Sequence, residues 1–342
     1  MAEVLEDYAV VVGVSHYQKL EFLKGPESDA RNFHDWLVDD AGGKLPEANS
    51  HLVLSSEKPF VPIQEHIDEK FGAIIERLQA EERKGRRLYF YFSGHGFGLT
   101  WDDTALALPK WTEFWRNFAL STSTYLKEII HSGLFQEVFF FLDCCRNRKV
   151  GVNGAGPSFG FAAAADDAGS CAAYCFSASE FHNKAFEAVM QPASGSLSDD
   201  KQTRGLFSET LMAGLKGAAA VGGKITADTL KDHIERTLPE LAQKHNKMQN
   251  GSFAFHGGGG ECVIVDGLPQ TDIGLVITFS QTNRTVVLKD GKLNPIGEKE
   301  TSEGKWSLKL PKGLYIISYK EGSVGSAMIE LDGMENLLSF NF

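Results

Sequence analysis

Unbroken apolar runs alternate with helical-period stretches along the first three quarters of the chain. Tyr8–Val14 (YAVVVGV), Leu88–Phe92, Glu137–Leu142 (EVFFFL) and Ala172–Ser177 are short, apolar and β-rich. That is the pattern of strands covered on both faces. His51–Ser55 and Cys262–Val265 add two more short runs. Between them, Ser28–Asp39 carries Ala30, Phe33, Trp36 and Leu37 at helical spacing, with Ser28 placed to cap the first turn. Ile63–Glu82 sets Ile67, Phe71, Ile74, Ile75 and Leu78 on one face. Ser123–Ser132, Leu206–Leu215 and Thr226–Lys244 read as further helices, the last begun by Thr226 or Asp228. Strands alternating with helices predict an α/β fold, a mostly parallel sheet flanked by helices on both faces.

The period changes after the glycine run Gly257–Gly260. From about Asp272 only short strand-like segments remain, among them LVITFS, TVVLKD, KWSLKL and LYIISYKE. Asp290-Gly291 is a hairpin signal between two of them. This predicts a small C-terminal antiparallel β-sandwich over 267–342, behind a first domain over 1–266. Two stretches break the alternation. Gly151–Gly169 is rich in Gly and Ala without period, and Gln191–Arg204 (QPASGSLSDDKQTR) is polar throughout. The second predicts an exposed loop.

The chain has 342 residues, 42 % of them hydrophobic and 23 % charged, which suits a globular protein of two domains. Its formal net charge of -11 lacks the basic footprint of a nucleic-acid binder. No apolar stretch approaches a bilayer span, and the opening MAEVLEDYAV is acidic where a secretory leader is basic. Five cysteines, an odd number without repeated metal-ligand spacing, point to a reducing compartment, so a cytoplasmic location is expected. Cys171 and Cys175 lie in an apolar run and read as buried core residues.

Reactive groups in open α/β sheets collect at the carboxyl ends of the strands. Two strand ends carry them here. Leu88–Phe92 leads into Ser93-Gly94-His95-Gly96, and Glu137–Leu142 leads into Asp143-Cys144-Cys145-Arg146. An imidazole and a thiol on neighbouring strand ends are the minimum for thiol nucleophilic catalysis. Glycines on both sides of His95 allow close backbone approach of a substrate to the Gly96 amide. His95 and Cys145 are separated by 50 positions, close to the His-to-Cys spacing of caspases.

With these motifs the chain resembles the caspase-like cysteine peptidases, in particular their metacaspase and bacterial caspase-like branch. The segments that carry the resemblance are YAVVVGV, LKGPESDA, YFYFSGHG, FFFLDCCRN, FSASEFHNKAFE and GLFSETLMAGLKG, and the resemblance covers roughly residues 8–265. The caspase signature Q-A-C-[RQG]-G is replaced by D-C-C-R-N, which favours the metacaspase-like branch. The resemblance implies a caspase-like fold. It divides the first domain into a large-subunit-like half (1–190), the exposed loop 191–204 and a small-subunit-like half (205–266).

It further implies an endopeptidase with His95 as base and Cys145 as nucleophile. Cys144 fills the position before it. The oxyanion hole would come from the amides of Gly96 and Cys145. Asp29 and Asp143 match the carboxylates of an acidic S1 pocket, which implies protein or peptide substrates with Arg or Lys at P1. Asp29 also suits a helix N-terminus, where an acid is favoured by the macrodipole. Lys201 and Arg204 in the exposed loop are the expected points of zymogen processing, by the chain itself or by an activating protease or partner. No cofactor is expected. Asp102 and Asp103 offer acids for calcium, but Lys110 and Trp111 stand where relatives often carry an acid. The resemblance also implies a monomer and a role in prokaryotic defence or programmed cell death. The aromatic set Trp101, Trp111, Phe114 and Trp115 reads as local packing or a substrate-side wall. Two other readings stand beside the peptidase. One is a weakly active scaffold or adaptor working through the C-terminal domain; the other is a thiol hydrolase of non-peptide amides.

Overall fold

The computed structural model describes residues 6–161, 164–165, 168–190, 202–257, 260–268, 272–290, 293–311, 313–320, 326–331 and 337–342. The chain forms two compact units. The first comprises 1–213 and 231–262, the second 214–230 and 263–342. Residues 214–230, expected in the first domain, thus group with the C-terminal strands.

The first unit is built on a six-stranded sheet. Its strands are β1 (Asp7–Gly13), β2 (Ser50–Leu54), β3 (Gly85–Ser93), β4 (Phe135–Asp143), β5 (Ala172–Ser177) and, at the edge, a strand over Ser252–His256. The order is β2-β1-β3-β4-β5 and then the edge strand. The first five are parallel and the edge strand runs antiparallel to β5. Helices α1 (Pro26–Val38), α2 (Gln64–Ala80) and α3 (Thr122–His131) cross between strands. Strand order reverses between β1 and β3. A sheet of this order opens a crevice there, beyond the carboxyl ends of its strands.

Alternation within the apolar runs serves two cores at once. Tyr8, Val10, Val12, Leu88, Phe90 and Phe140 pack with Ile67, Phe71, Ile74 and Leu78 of α2 and Tyr125 and Ile129 of α3. Tyr91 and Phe141, which project from the opposite face, meet Phe33 of α1 at ring separations of 4.7 and 5.5 Å. A strand buried on both faces has no polar side, which is why these runs are continuous rather than alternating.

Three local expectations change. The helix α1 begins at Pro26, which is suited to a first turn, and its cap position is Gly25; Ser28 lies inside and donates to the Gly25 carbonyl at 2.8 Å. The sheet's last strand is Ser252–His256, a half-buried SFAFH segment that lies outside the expected strands. Val263–Val265 pairs instead with Ile225–Thr226, outside the central sheet. Within the polar segment 191–204, the described residues Gln202–Gly205 form a strand paired antiparallel to Glu187–Met190. Thr226 does cap the helix Ala227–Lys244: its hydroxyl accepts from the Thr229 amide at 3.1 Å.

In the second unit a three-stranded sheet (Ile273–Thr278 between Lys305–Leu310 and Leu337–Asn341) faces a four-stranded one (Thr285–Asp290, Pro295–Glu300, Gly313–Tyr319, Ser326–Leu331). Ile273, Leu275 and Ile277 alternate inward from the first sheet and meet Val286, Leu288, Ile317 and Ile329 from the second. All pairings within these two sheets are antiparallel except Ile273–Thr278 with Leu337–Asn341, which is parallel. Among the described residues no helix is long and apolar enough to cross a membrane.

Phe141 is buried between Phe33 and Phe176, its ring 5.5 and 5.1 Å from theirs. Replacing it with alanine is expected to cost about 3–5 kcal/mol of stability, read as a lowered urea midpoint.

Candidate active site

The parallel register of β3 and β4 sets Ser93 opposite Asp143, and the Gly94 amide donates to the Asp143 carbonyl at 3.1 Å. His95 and Cys145 therefore each sit two residues past a matched pair. Both line one cavity of about 300 Å³, together with Asp29, Asp143, Glu21 and Glu187. The structure thus brings His95, Cys145, Asp29 and Asp143 to a single site. Gly96 lies directly behind it. A side chain there would meet Cys144 Sγ at 2.6 Å and the Cys145 carbonyl at 2.7 Å.

His95 is held on three sides. Its amide donates to the Tyr17 hydroxyl at 2.8 Å, its carbonyl accepts from the Ala107 amide at 2.9 Å, and Tyr17 packs edge-on against its ring. Nε2 lies 2.8 Å from the Glu21 carbonyl. A carbonyl only accepts, so Nε2 carries the proton and Nδ1 is the basic nitrogen of the neutral ring. Burial pushes the imidazole below its ordinary value, partly opposed by that carbonyl.

Cys145 is half-buried, and its sulfur accepts from the Ala185 amide at 3.3 Å while the thiol donates to the Ala185 carbonyl at 3.4 Å. Arg146 anchors the loop. Its amide donates to the Asn183 carbonyl, and its buried guanidinium donates to Thr104 Oγ1 and the Trp101 carbonyl. Burial raises the Cys145 thiol, with the Ala185 amide pulling the other way. Cys144 is buried, and burial pushes its thiol well up. Both shifts, at Cys145 and at His95, favour the uncharged forms of the two side chains.

The carboxylates are deeply enclosed. Asp29, in the first turn of α1, is 1 % exposed. Its Oδ2 accepts from the Gly205 amide at 2.8 Å, and its buried Oδ1 has no hydrogen-bond partner among the described residues. Asp143 Oδ2 accepts from the amide and hydroxyl of Ser208, at 3.1 and 2.5 Å. Ser208 Oγ lies 2.5 Å from the Tyr91 hydroxyl. Because Ser208 donates to Asp143, Tyr91 donates to Ser208. Burial raises Asp29 far above the carboxylate range, and the neighbouring Asp143 adds to it. Burial pushes Asp143 up to about 6 against the two Ser208 bonds. Gly205 is needed between them, since a Cβ there would lie 2.0 Å from Asp143 Oδ2.

Of the two processing residues, Lys201 lies outside the described residues. Arg204 is not in a free loop: it pairs with Ala188 across a two-stranded ribbon, and its guanidinium is 3.7 Å from Glu209. Gly205, the last residue of that ribbon, is tied to Asp29. Asp103 caps α3, accepting from the Ser123 amide at 3.0 Å and from the Ser121 hydroxyl, while Asp102 accepts from Thr100.

Sequence reasoning missed Tyr17, Ala185, Glu187 and Gly205. Glu187 accepts from the Lys24 and Gly25 amides at 3.3 and 2.9 Å and so fastens the ribbon to the start of α1. Ala185 and Glu187 lie in the segment FSASEFHNKAFE and Gly205 opens GLFSETLMAGLKG, but nothing in those segments singled them out, and Tyr17 lies in none of the quoted segments.

Alkylation of Cys145 by iodoacetamide is expected to quicken with pH through an apparent pKa above the ordinary thiol value of about 8.5. Peptide mass mapping checks it; a rapid, pH-independent rate between pH 6 and 7 would instead mean a preformed thiolate–imidazolium pair.

Comparison with known proteins places this geometry. The family model described as the caspase domain, peptidase family C14, matches residues 6–257. A probable protease of a Desulfuromonadales bacterium is 30 % identical over 155 residues, covering 42 % of this chain. This chain spans only 18 % of that relative's length. Among solved structures, a Geobacter sulfurreducens protein aligns over 75 % of this chain and 95 % of its own, at 14 % identity and a TM-score of 0.44. Caspase-1 of Spodoptera frugiperda aligns over 77 % and 90 %, at 10 % identity and a TM-score of 0.46.

Proposed function

Because this chain belongs to the caspase-domain family of cysteine peptidases, we propose that it is an endopeptidase that cuts after Arg or Lys, with Cys145 as nucleophile and His95 as base. The observation that carries the reading is the buried, unpartnered Oδ1 of Asp29 in the cavity shared with His95 and Cys145. An enclosed carboxylate oxygen without a donor calls for a cationic guest. A guanidinium fits best, since its planar fork can serve Asp29 and Asp143 together.

The steps follow from the resting hydrogen bonds. As the substrate enters, the Cys145 thiol exchanges the Ala185 carbonyl for His95 Nδ1 and gives up its proton. The sulfur attacks the scissile carbonyl carbon. The oxyanion is received by the amides of Cys145 and Gly96. The Ala107-to-His95 bond supports a role for Gly96: it makes the adjoining Gly96–Leu106 position a non-hydrogen-bonded one, so the Gly96 amide turns away from that ribbon. One such donor contributes about 2.7–4 kcal/mol to lowering the barrier in measured hydrolases. The imidazolium then protonates the leaving amine, and His95 activates water to hydrolyse the thioester. These steps use only groups of this chain, the substrate and water.

Processing, on this reading, falls after Lys201 rather than Arg204. A residue in a paired ribbon, with its side chain in an ion pair, must be pulled free before a protease can hold it.

Fluorogenic peptides with Arg, Lys, Asp or Leu at P1 test the central claim. Turnover is expected with Arg and Lys and is abolished in Cys145→Ala; Asp29→Asn should raise KM for Arg substrates at least about tenfold, as expected when a buried charge pair loses one partner. Silence with every P1 residue would favour the scaffold reading. The pH dependence has a definite sign. Only ionised carboxylates attract the guanidinium, and burial raises both Asp29 and Asp143, the latter to about 6. KM for an Arg substrate should therefore rise as pH falls through that value, in initial-rate measurements from pH 5 to 8. On denaturing gels, wild type should yield a fragment with its new end at Lys201, and Cys145→Ala should stay whole; cutting of both would assign the step to another protease.

A further inference from the structure

A second cavity, of about 480 Å³, opens between Gln18–Leu20 on one wall and Trp111–Trp115 on the other. Phe114 is 96 % exposed at its rim and Trp115 65 %. Trp111 is buried at its base, with the Lys149 ammonium, itself paired with Glu113 at 3.0 Å, lying 4.8 Å over its ring. Large aromatic side chains standing together in water mark a surface that meets another molecule.

Both walls are fixed to the catalytic loop. Gln18–Leu20 lies between Tyr17, which accepts from the His95 amide, and Glu21, which accepts from His95 Nε2. The indole of Trp111 stacks at 4.8 Å on Phe97, two residues beyond His95. The Gln18 amide donates to the Pro109 carbonyl at 2.8 Å, joining one wall to the other. Glu21 also lines the catalytic cavity, so a single segment borders both depressions.

This arrangement names the occupant. The acidic pocket takes the residue before the cut and is built from α1, Asp143 and Gly205. The aromatic groove is built instead on the supports of His95, the group that hands a proton to the departing amine. We propose that the groove receives an apolar side chain, aromatic or leucine-like, from the substrate segment just after the scissile bond. The proposal rests on the peptidase reading above and adds a second specificity element to it: a basic residue before the cut and an apolar one after it.

Internally quenched peptides with Arg at P1 and Gly, Asp, Leu or Phe at the first two positions after the cut provide the test. Leu or Phe is expected to raise kcat/KM at least about tenfold over Gly, the scale set by a buried apolar contact. In Phe114→Ala/Trp115→Ala that ratio should fall to near one; both residues are exposed, and thermal melting confirms that the fold is retained. A ratio near one in wild type, or one unchanged in the double variant, overturns the proposal. A binding measurement separates it from the peptidase reading. A fluorescein-labelled peptide carrying only the Leu-Phe segment should bind Cys145→Ala at least about tenfold more tightly than Cys145→Ala/Phe114→Ala/Trp115→Ala by anisotropy. Equal affinities would sink the groove even if cleavage is found. A clear difference would sustain it as an apolar-peptide site even if no cleavage is found.

Discussion

Two parallel strands that end level with each other are what the site depends on. The pairing of Ser93 with Asp143, closed by the Gly94-to-Asp143 bond, means that the two following loops leave the sheet at the same height. Everything reactive sits within three residues of that line. A slip of one residue in either strand would turn each side chain to the opposite face and bury the sulfur or the imidazole in the wrong core. The apolar residues on both faces of β3 and β4 prevent the slip, because each must find its place in one of two packed layers. The core thus acts on the chemistry directly: it sets the register, and the register sets the site.

Beneath the thiol and the imidazole lies an electrostatic problem held in a small space. Asp29 and Asp143 are both buried, and each raises the charge density that the other must face. Hydrogen bonds relieve part of it, through Ser208 and Tyr91 for Asp143 and through the Gly205 amide for Asp29. The Ser208 and Gly205 donors come from the start of the helix Leu206–Ala213 and from the strand before it, far along the sequence from either acid. The relief is incomplete, since Asp29 keeps one bare oxygen.

The parts of this arrangement visible in the sequence are those that need only local pattern. Continuous apolar runs announced the buried strands, and SGHG and DCC at two of their ends announced the reactive loops. Asp143 was legible because it adjoins such a loop, and Asp29 because the resemblance matched it to a pocket carboxylate. What stayed hidden depends on distant partners. Ala185 is an ordinary residue until its amide and carbonyl both meet Cys145. Glu187 is one acid among many until it meets the amides of Lys24 and Gly25. Arg204 read as a loop residue because its neighbours are polar; the pairing that orders it comes from the Asp29-to-Gly205 bond, 176 positions away in the chain. The edge strand Ser252–His256 escaped notice because an edge needs apolar residues on fewer sides.

The ribbon Glu187–Met190 with Gln202–Gly205 bears on what a cut between its arms would do. Each arm is fastened to the body independently: the first by Glu187 to Lys24 and Gly25, the second by Gly205 to Asp29. The edge strand Ser252–His256, which follows the second arm in sequence, stays zipped to Ala172–Ser177, which precedes the first. Severing the backbone between the arms would leave two polypeptides clasped as one particle. Such a nick would leave the hydrodynamic size of the native molecule unchanged and become visible only once the chains are denatured apart.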